Sequence, residues 1–221
     1  MRNTSPFLLL VLLLGGFANA QSLSEADIRN LLAKIAERRA SAPDVRADFQ
    51  EQKTMRLMTK PVVSSGKIWF HAPNNFRREV SGNSASVTVS NGPDLWIYYP
   101  NFKSAEHYAL GKRSPADAAI AAINTALNLE NVEKTFRITG SKIDKGYALE
   151  LLPRSPSMKR MLQRFDLRLN GDLVAERTEM LQPNGDRVVT IYSNQTRAAI
   201  PAATFDFTPP PGTEITSPLG R

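Results

Sequence analysis

Between Gly66 and Tyr99 the chain alternates apolar and polar residues in short runs broken by turn chemistry, and this stretch holds both tryptophans. Lys67 to His71, Arg77 to Ser81, Ser86 to Ser90 and Leu95 to Tyr99 read as strands. The connections Ala72-Pro73-Asn74-Asn75, Gly82-Asn83 and Asn91-Gly92-Pro93-Asp94 are turn sequences, so the pattern predicts an antiparallel meander. Upstream, Val45, Ala47 and Phe49 share one face of a further strand over Val45 to Gln52. Downstream, Phe136 to Thr139, Gly146 to Leu152, Arg164 to Leu169, Val174 to Leu181, Asp186 to Tyr192 and Thr204 to Thr208 follow at regular spacing. The expected class is mainly β with some helix.

Two segments carry a helical period instead. Over Ser22 to Arg39, Ile28, Leu31, Leu32 and Ile35 recur on one face behind a Ser22/Glu25 capping pattern. The second opens with Ser114-Pro115-Ala116-Asp117 and runs to about Asn128. It is almost free of charge around its circumference, so it must lie against apolar surface, either as a core helix or as a smooth lid. Met55, Leu57 and Met58 read as core filling or as the soft lining of an irregular cavity.

At the N-terminus, Arg2, the apolar run Phe7 to Leu14 and Ala18-Asn19-Ala20 predict a cleaved secretory signal over residues 1–20. Residues 21–221 are then expected to form one domain, exported and without disulfides, since the chain has no cysteine. The net charge is +7, and removing Arg2 with the signal leaves 27 Lys and Arg against 21 Asp and Glu, a net +6. The cations are dispersed and the protein is predicted to leave the cytoplasm, which argues against a nucleic-acid partner.

Catalytic chemistry is hard to find. Two histidines and no cysteine leave no zinc-type spacing, and no metal or cofactor is expected. Gly82-Asn83-Ser84-Ala85-Ser86 lacks the second glycine of a nucleophile elbow and reads as a turn. Asp44, Asp48 and Glu51, and likewise Glu176 and Glu179, read as solvated sheet carboxylates. A binding or carrier protein fits better than an enzyme.

Four blocks then carry a resemblance: Phe49-Gln50-Glu51-Gln52, Ser65 to Arg77, Val89 to Pro100, and Phe205-Asp206-Phe207-Thr208-Pro209-Pro210-Pro211-Gly212. In order and spacing the chain resembles the LolA family of periplasmic lipoprotein carriers. The resemblance implies an unclosed antiparallel β-barrel around a hydrophobic cavity, lidded by short α-helices, with neither catalysis nor cofactor. It implies a monomeric periplasmic carrier of acylated lipoprotein, with an inner-membrane ABC transporter as donor and an outer-membrane receptor lipoprotein as acceptor. The candidate cavity residues are Trp69, Phe76, Arg78, Trp96 and Tyr98, with Ile120, Ile123 and Leu127 on the lid.

Two positions depart from the family pattern. Ala72 stands where lipoprotein carriers commonly have an arginine that ties barrel to lid, and Arg78 stands where an aromatic is frequent. Arg78 shares a strand face with Phe76, so it faces either the cavity mouth, toward an anionic head group, or solvent. A carrier of another exported lipid and a non-catalytic sensor of lipidated proteins are the alternative functions.

Overall fold

A computed structural model describes residues 21–110, 129 and 131–218. The predicted signal (1–20) and the uncharged helix beginning near Ser114 lie outside the described residues.

The strands form a single 13-stranded sheet in the order β1-β8-β9-β10-β11-β12-β2-β3-β4-β5-β6-β7-β13, open between β1 (Gln21–Ser22) and β13 (Glu214–Thr216). The predicted meander is present as β3 (Val62–His71), β4 (Asn75–Val80), β5 (Ser86–Asn91) and β6 (Asp94–Tyr99), each antiparallel to the next. β2 (Asp44–Thr54) joins this meander, through β3, to β12 (Arg187–Thr196). Beyond β12 lie β11 (Ala175–Leu181), β10 (Arg164–Asn170), β9 (Gly146–Pro153) and β8 (Phe136–Ile143). β7 (Ser104–Ala109), which the sequence pattern did not predict, pairs antiparallel with β6.

Because paired residues share a face, the register divides the sheet into two surfaces. Val45, Ala47, Phe49 and Glu51 of β2 stand opposite Phe70, Ile68, Gly66 and Ser64 of β3, and Phe70 and Ile68 stand opposite Phe76 and Arg78 of β4. This is the inner face. On its β8 to β10 part lies the core: Leu31 and Ile35 of helix α1 (Glu25–Ser41) pack with Phe136, Leu149, Leu151, Phe165, Leu167 and Leu169. Helices α2 (Val132–Thr135) and α3 (Pro156–Lys159) add Val132 and Met158 to the same cluster.

α1 starts later than expected. Its N-cap is Ser24, whose hydroxyl accepts from the Asp27 amide while Asp27 accepts from the Ser24 amide. That reciprocal pair satisfies two otherwise unpartnered donors, so Leu23 is left to the N-terminal approach.

Three other expectations change. Met55, Leu57 and Met58 sit at the β2–β3 connection, where Met55 is half-buried and Leu57 and Met58, 94% and 48% exposed, fill no core. Thr204 to Thr208 is not a strand; a 3-10 turn, Ala202–Phe205, leads into an irregular segment bounded by prolines, which cannot donate to a ladder. The chain pairs again only as β13 (Glu214–Thr216), parallel to β7, so the sheet is not wholly antiparallel.

This C-terminal segment crosses the outer face as a strap. The Ile200 amide donates to Asp44 Oδ2 at 3.1 Å, Arg77 Nη1 donates to the Thr204 carbonyl at 3.2 Å, and Phe205 is buried beside His71. The predicted carboxylate clusters also come apart. Asp44 and Asp48 point outward and Glu51 inward, as their two-residue alternation demands, while Glu179 is buried between Arg177 and Arg187 rather than solvated.

Candidate functional site

The inner face of β2 to β5 is not filled by side chains. Together with β10 to β12 it encloses a cavity of about 350 Å³. One wall carries Val45, Ala47, Phe49, Ile68, Phe70 and Phe76; the facing wall carries Phe165, Ala175, Met180, Val188 and Tyr192. The volume lies within the span of about 300–1,000 Å³ typical of small-molecule pockets.

Polar side chains enter the lining in two groups. Arg39, Asn74, Gln195 and Arg197 occur toward the Val45 end of β2. The Arg39 guanidinium lies 6.0 Å from the Phe70 ring centroid, and Arg197 donates to the carbonyls of Ala42 and Asp172. Toward the other end, Arg78 Nη2 donates to Glu51 Oε2 at 2.9 Å and Thr190 Oγ1 donates to the same oxygen at 3.3 Å. The Arg78 guanidinium also lies 4.3 Å over the Phe49 ring. Tyr192 and Thr178 exchange a hydroxyl contact nearby, and desolvation pushes the Tyr192 phenol above its ordinary range, keeping it neutral.

Of the residues proposed from sequence, Phe76 and Arg78 are among those lining the cavity. Arg78 does not wait for an anion, because Glu51 already pairs with it. Trp69, Trp96 and Tyr98 lie on the outer face. Trp69 stands opposite Arg46 and Arg77, Trp96 stacks on His107 with centroids 4.2 Å apart, and Phe207 of the strap packs 6.0 Å from Trp96 and 5.8 Å from Tyr98. The hydrophobicity of Trp96 and Tyr98 is used to seat the strap. Ile120, Ile123 and Leu127 lie outside the described residues.

The sequence reading passed over Phe49, Ile68, Phe70, Met180 and Tyr192. The available signal was alternation: Val45, Ala47 and Phe49 share a face, and pairing through the Ala72 to Asn75 turn brings Phe70 beside Phe76. Among the described residues no group of three or more His, Cys, Asp or Glu is placed to hold a metal ion.

Comparison with known proteins agrees with the fold. The family model described as "Outer membrane lipoprotein carrier protein LolA" matches residues 40–208. An outer-membrane lipoprotein carrier protein of Serratia proteamaculans (strain 568) is 27% identical over 92% of this chain and 93% of its own. One of Yersinia pestis bv. Antiqua (strain Angola) is 25% identical over 91% and 93%. In structure, an uncharacterized conserved protein from Thermus thermophilus superposes with a TM-score of 0.53 at 13% identity, covering 86% of this chain and 98% of that one.

Proposed function

This chain belongs to the LolA family of outer-membrane lipoprotein carriers, and from that membership we propose that it is a periplasmic carrier whose cavity shields the acyl chains of lipoproteins between the inner and outer membranes. The observation that carries the reading is the open, largely apolar space between β2–β5 and β10–β12, which a protein needing only stability fills with side chains. Water-exposed methylenes cost about 0.8 kcal/mol each, so an acyl chain crosses an aqueous compartment only if something covers it. Phe49, Phe70, Phe76 and Met180 offer such cover without demanding fixed hydrogen bonds.

The cavity residues in this reading are Phe76 and Arg78, joined by Phe49, Ile68, Phe70 and Met180. An inner-membrane ABC transporter loads the carrier and an outer-membrane receptor unloads it, and no bond in the cargo is made or broken. The single domain runs from residue 21 to 221 once a signal over 1–20 is removed.

Mass spectrometry of the protein isolated from periplasm tests this reading. Co-purified acylated polypeptide is the expected result. Free lipid alone would transfer the reading to a carrier of another amphiphile.

A further inference from the structure

The Arg78–Glu51 pair is an unusual occupant for the wall of an apolar cavity. Its side chains keep 25% and 24% of their exposure, and burying an ion pair this far stabilises a fold little, because desolvation offsets most of the attraction. What the pair does supply is a fixed donor beside a fixed acceptor. Arg78 uses Nη2 on Glu51 and its guanidinium face on Phe49, and Glu51 uses Oε2 on Arg78 and Thr190. Among the described residues nothing hydrogen-bonds Nε or Nη1 of Arg78, or Oε1 of Glu51.

The sign of the local charge decides what such a pair accepts. A carboxylate or phosphate approaching Arg78 is repelled by Glu51, and an ammonium approaching Glu51 is repelled by Arg78. The complement is an uncharged group that both donates and accepts. A secondary amide does this, with its C=O toward the guanidinium and its N–H toward the carboxylate. An ester or ether lacks the donor. Phe49 and Phe76 beside the pair then receive the alkyl chain that such an amide carries.

We propose that Glu51 and Arg78 form a subsite for the amide that links an acyl chain to its head group, so that the cavity selects N-acylated cargo over O-acylated or free-acid amphiphiles. This rests on the carrier reading above.

The test uses displacement of the fluorescent probe N-phenyl-1-naphthylamine by N-ethylhexadecanamide, ethyl hexadecanoate, ethyl hexadecyl ether and hexadecanoate. With the unaltered protein the amide should compete about tenfold better than the ether, with the ester between them and hexadecanoate no better than the ester. In the double variant Glu51→Met, Arg78→Met the probe should still bind, while the amide falls behind the ether because nothing repays its desolvation. Glu51→Gln, which leaves Arg78 unopposed, should turn the preference toward hexadecanoate and keeps the proposal testable if the double variant does not fold. Equal competition by the three neutral compounds, first place for hexadecanoate in the unaltered protein, or an amide preference that survives the double substitution overturns the subsite. Failure of the probe and all four compounds to bind overturns the carrier reading together with it.

Discussion

The carboxylate of Asp44 lies 2.7 Å from Nδ1 of His71, and its second oxygen accepts the Ile200 amide where the C-terminal strap begins. One residue near the start of β2 thus fixes both the end of β3 and the strap. Asp44 is only 9% exposed, and removing it takes the acceptor from the Ile200 amide and the partner from the His71 ring, of which the amide is part-buried and the ring, 41% exposed, can rehydrate. Asp44→Ala should cost about 1–3 kcal/mol in urea unfolding and speed proteolysis near Ile200, with Asp44→Asn costing less. Unchanged stability in Asp44→Ala would show that the strap is held by its aromatics alone.

Trp96 provides the comparison. It is clasped between His107 and Phe207 on the outer face, away from the cavity. Trp96→Ala should lower stability by about 1–3 kcal/mol and leave the affinity for an acyl probe, measured per folded molecule, within twofold of the parent. A large loss of binding at full folding would place the tryptophan in the cargo path after all.

Phe76→Glu should behave oppositely. A carboxylate at this position stands beside Phe70 and on the same wall as Phe49, with Met180 on the wall opposite, an apolar setting where it is costly unless water follows it in. Folding should survive, because Phe76 is only half-buried, while acyl-probe affinity falls at least about tenfold. Circular dichroism and fluorescence titration on the same preparation separate the two effects.

These contrasts also show what the sequence carried. The strands of the central meander, the apolar stripe of α1 and the shared strand face of Phe76 and Arg78 follow from local periodicity and turn residues, and the structure has all three. Which face of the sheet is empty does not follow from local pattern. Trp69, Trp96 and Tyr98 are as apolar as the cavity residues, and only the distant strap, anchored through Asp44 and Arg77, turns their face into a covered one. The pairing of Arg78 with Glu51 was hidden for the same reason: it joins two strands that are separated by β3 and 27 positions apart in sequence.

Gly66 carries a local demand of a different kind. A Cβ built there would stand 1.8 Å from the Glu79 carbonyl oxygen and 3.0 Å from the Phe49 ring. The missing side chain lets Phe49 lie beneath Arg78, so the glycine serves the cavity as well as the sheet. Gly66→Ala should destabilise by about 3 kcal/mol, since backbone must shift to admit it. A variant that melts with the parent would mean the β3–β4 pairing opens there at little cost.

At the other end of the sheet Tyr108 gives a pH signature. Its hydroxyl donates to Glu106 at 2.5 Å, and desolvation first, then that carboxylate, pushes the phenol up to about 12. The folded state therefore holds this proton more tightly than the unfolded chain, where the phenol keeps its ordinary value of 10.0. The resulting stability is intact below the unfolded value and is lost as pH rises from there through about 12. Tyr99, raised by its own desolvation and by Glu106, adds a slope of the same sign. Urea midpoints should fall between about pH 9 and about pH 11 in the parent, and Tyr108→Phe should show a smaller fall. Equal falls in the two proteins would mean that Tyr108 titrates alike in both states, and that its bond to Glu106 does not persist in alkaline solution.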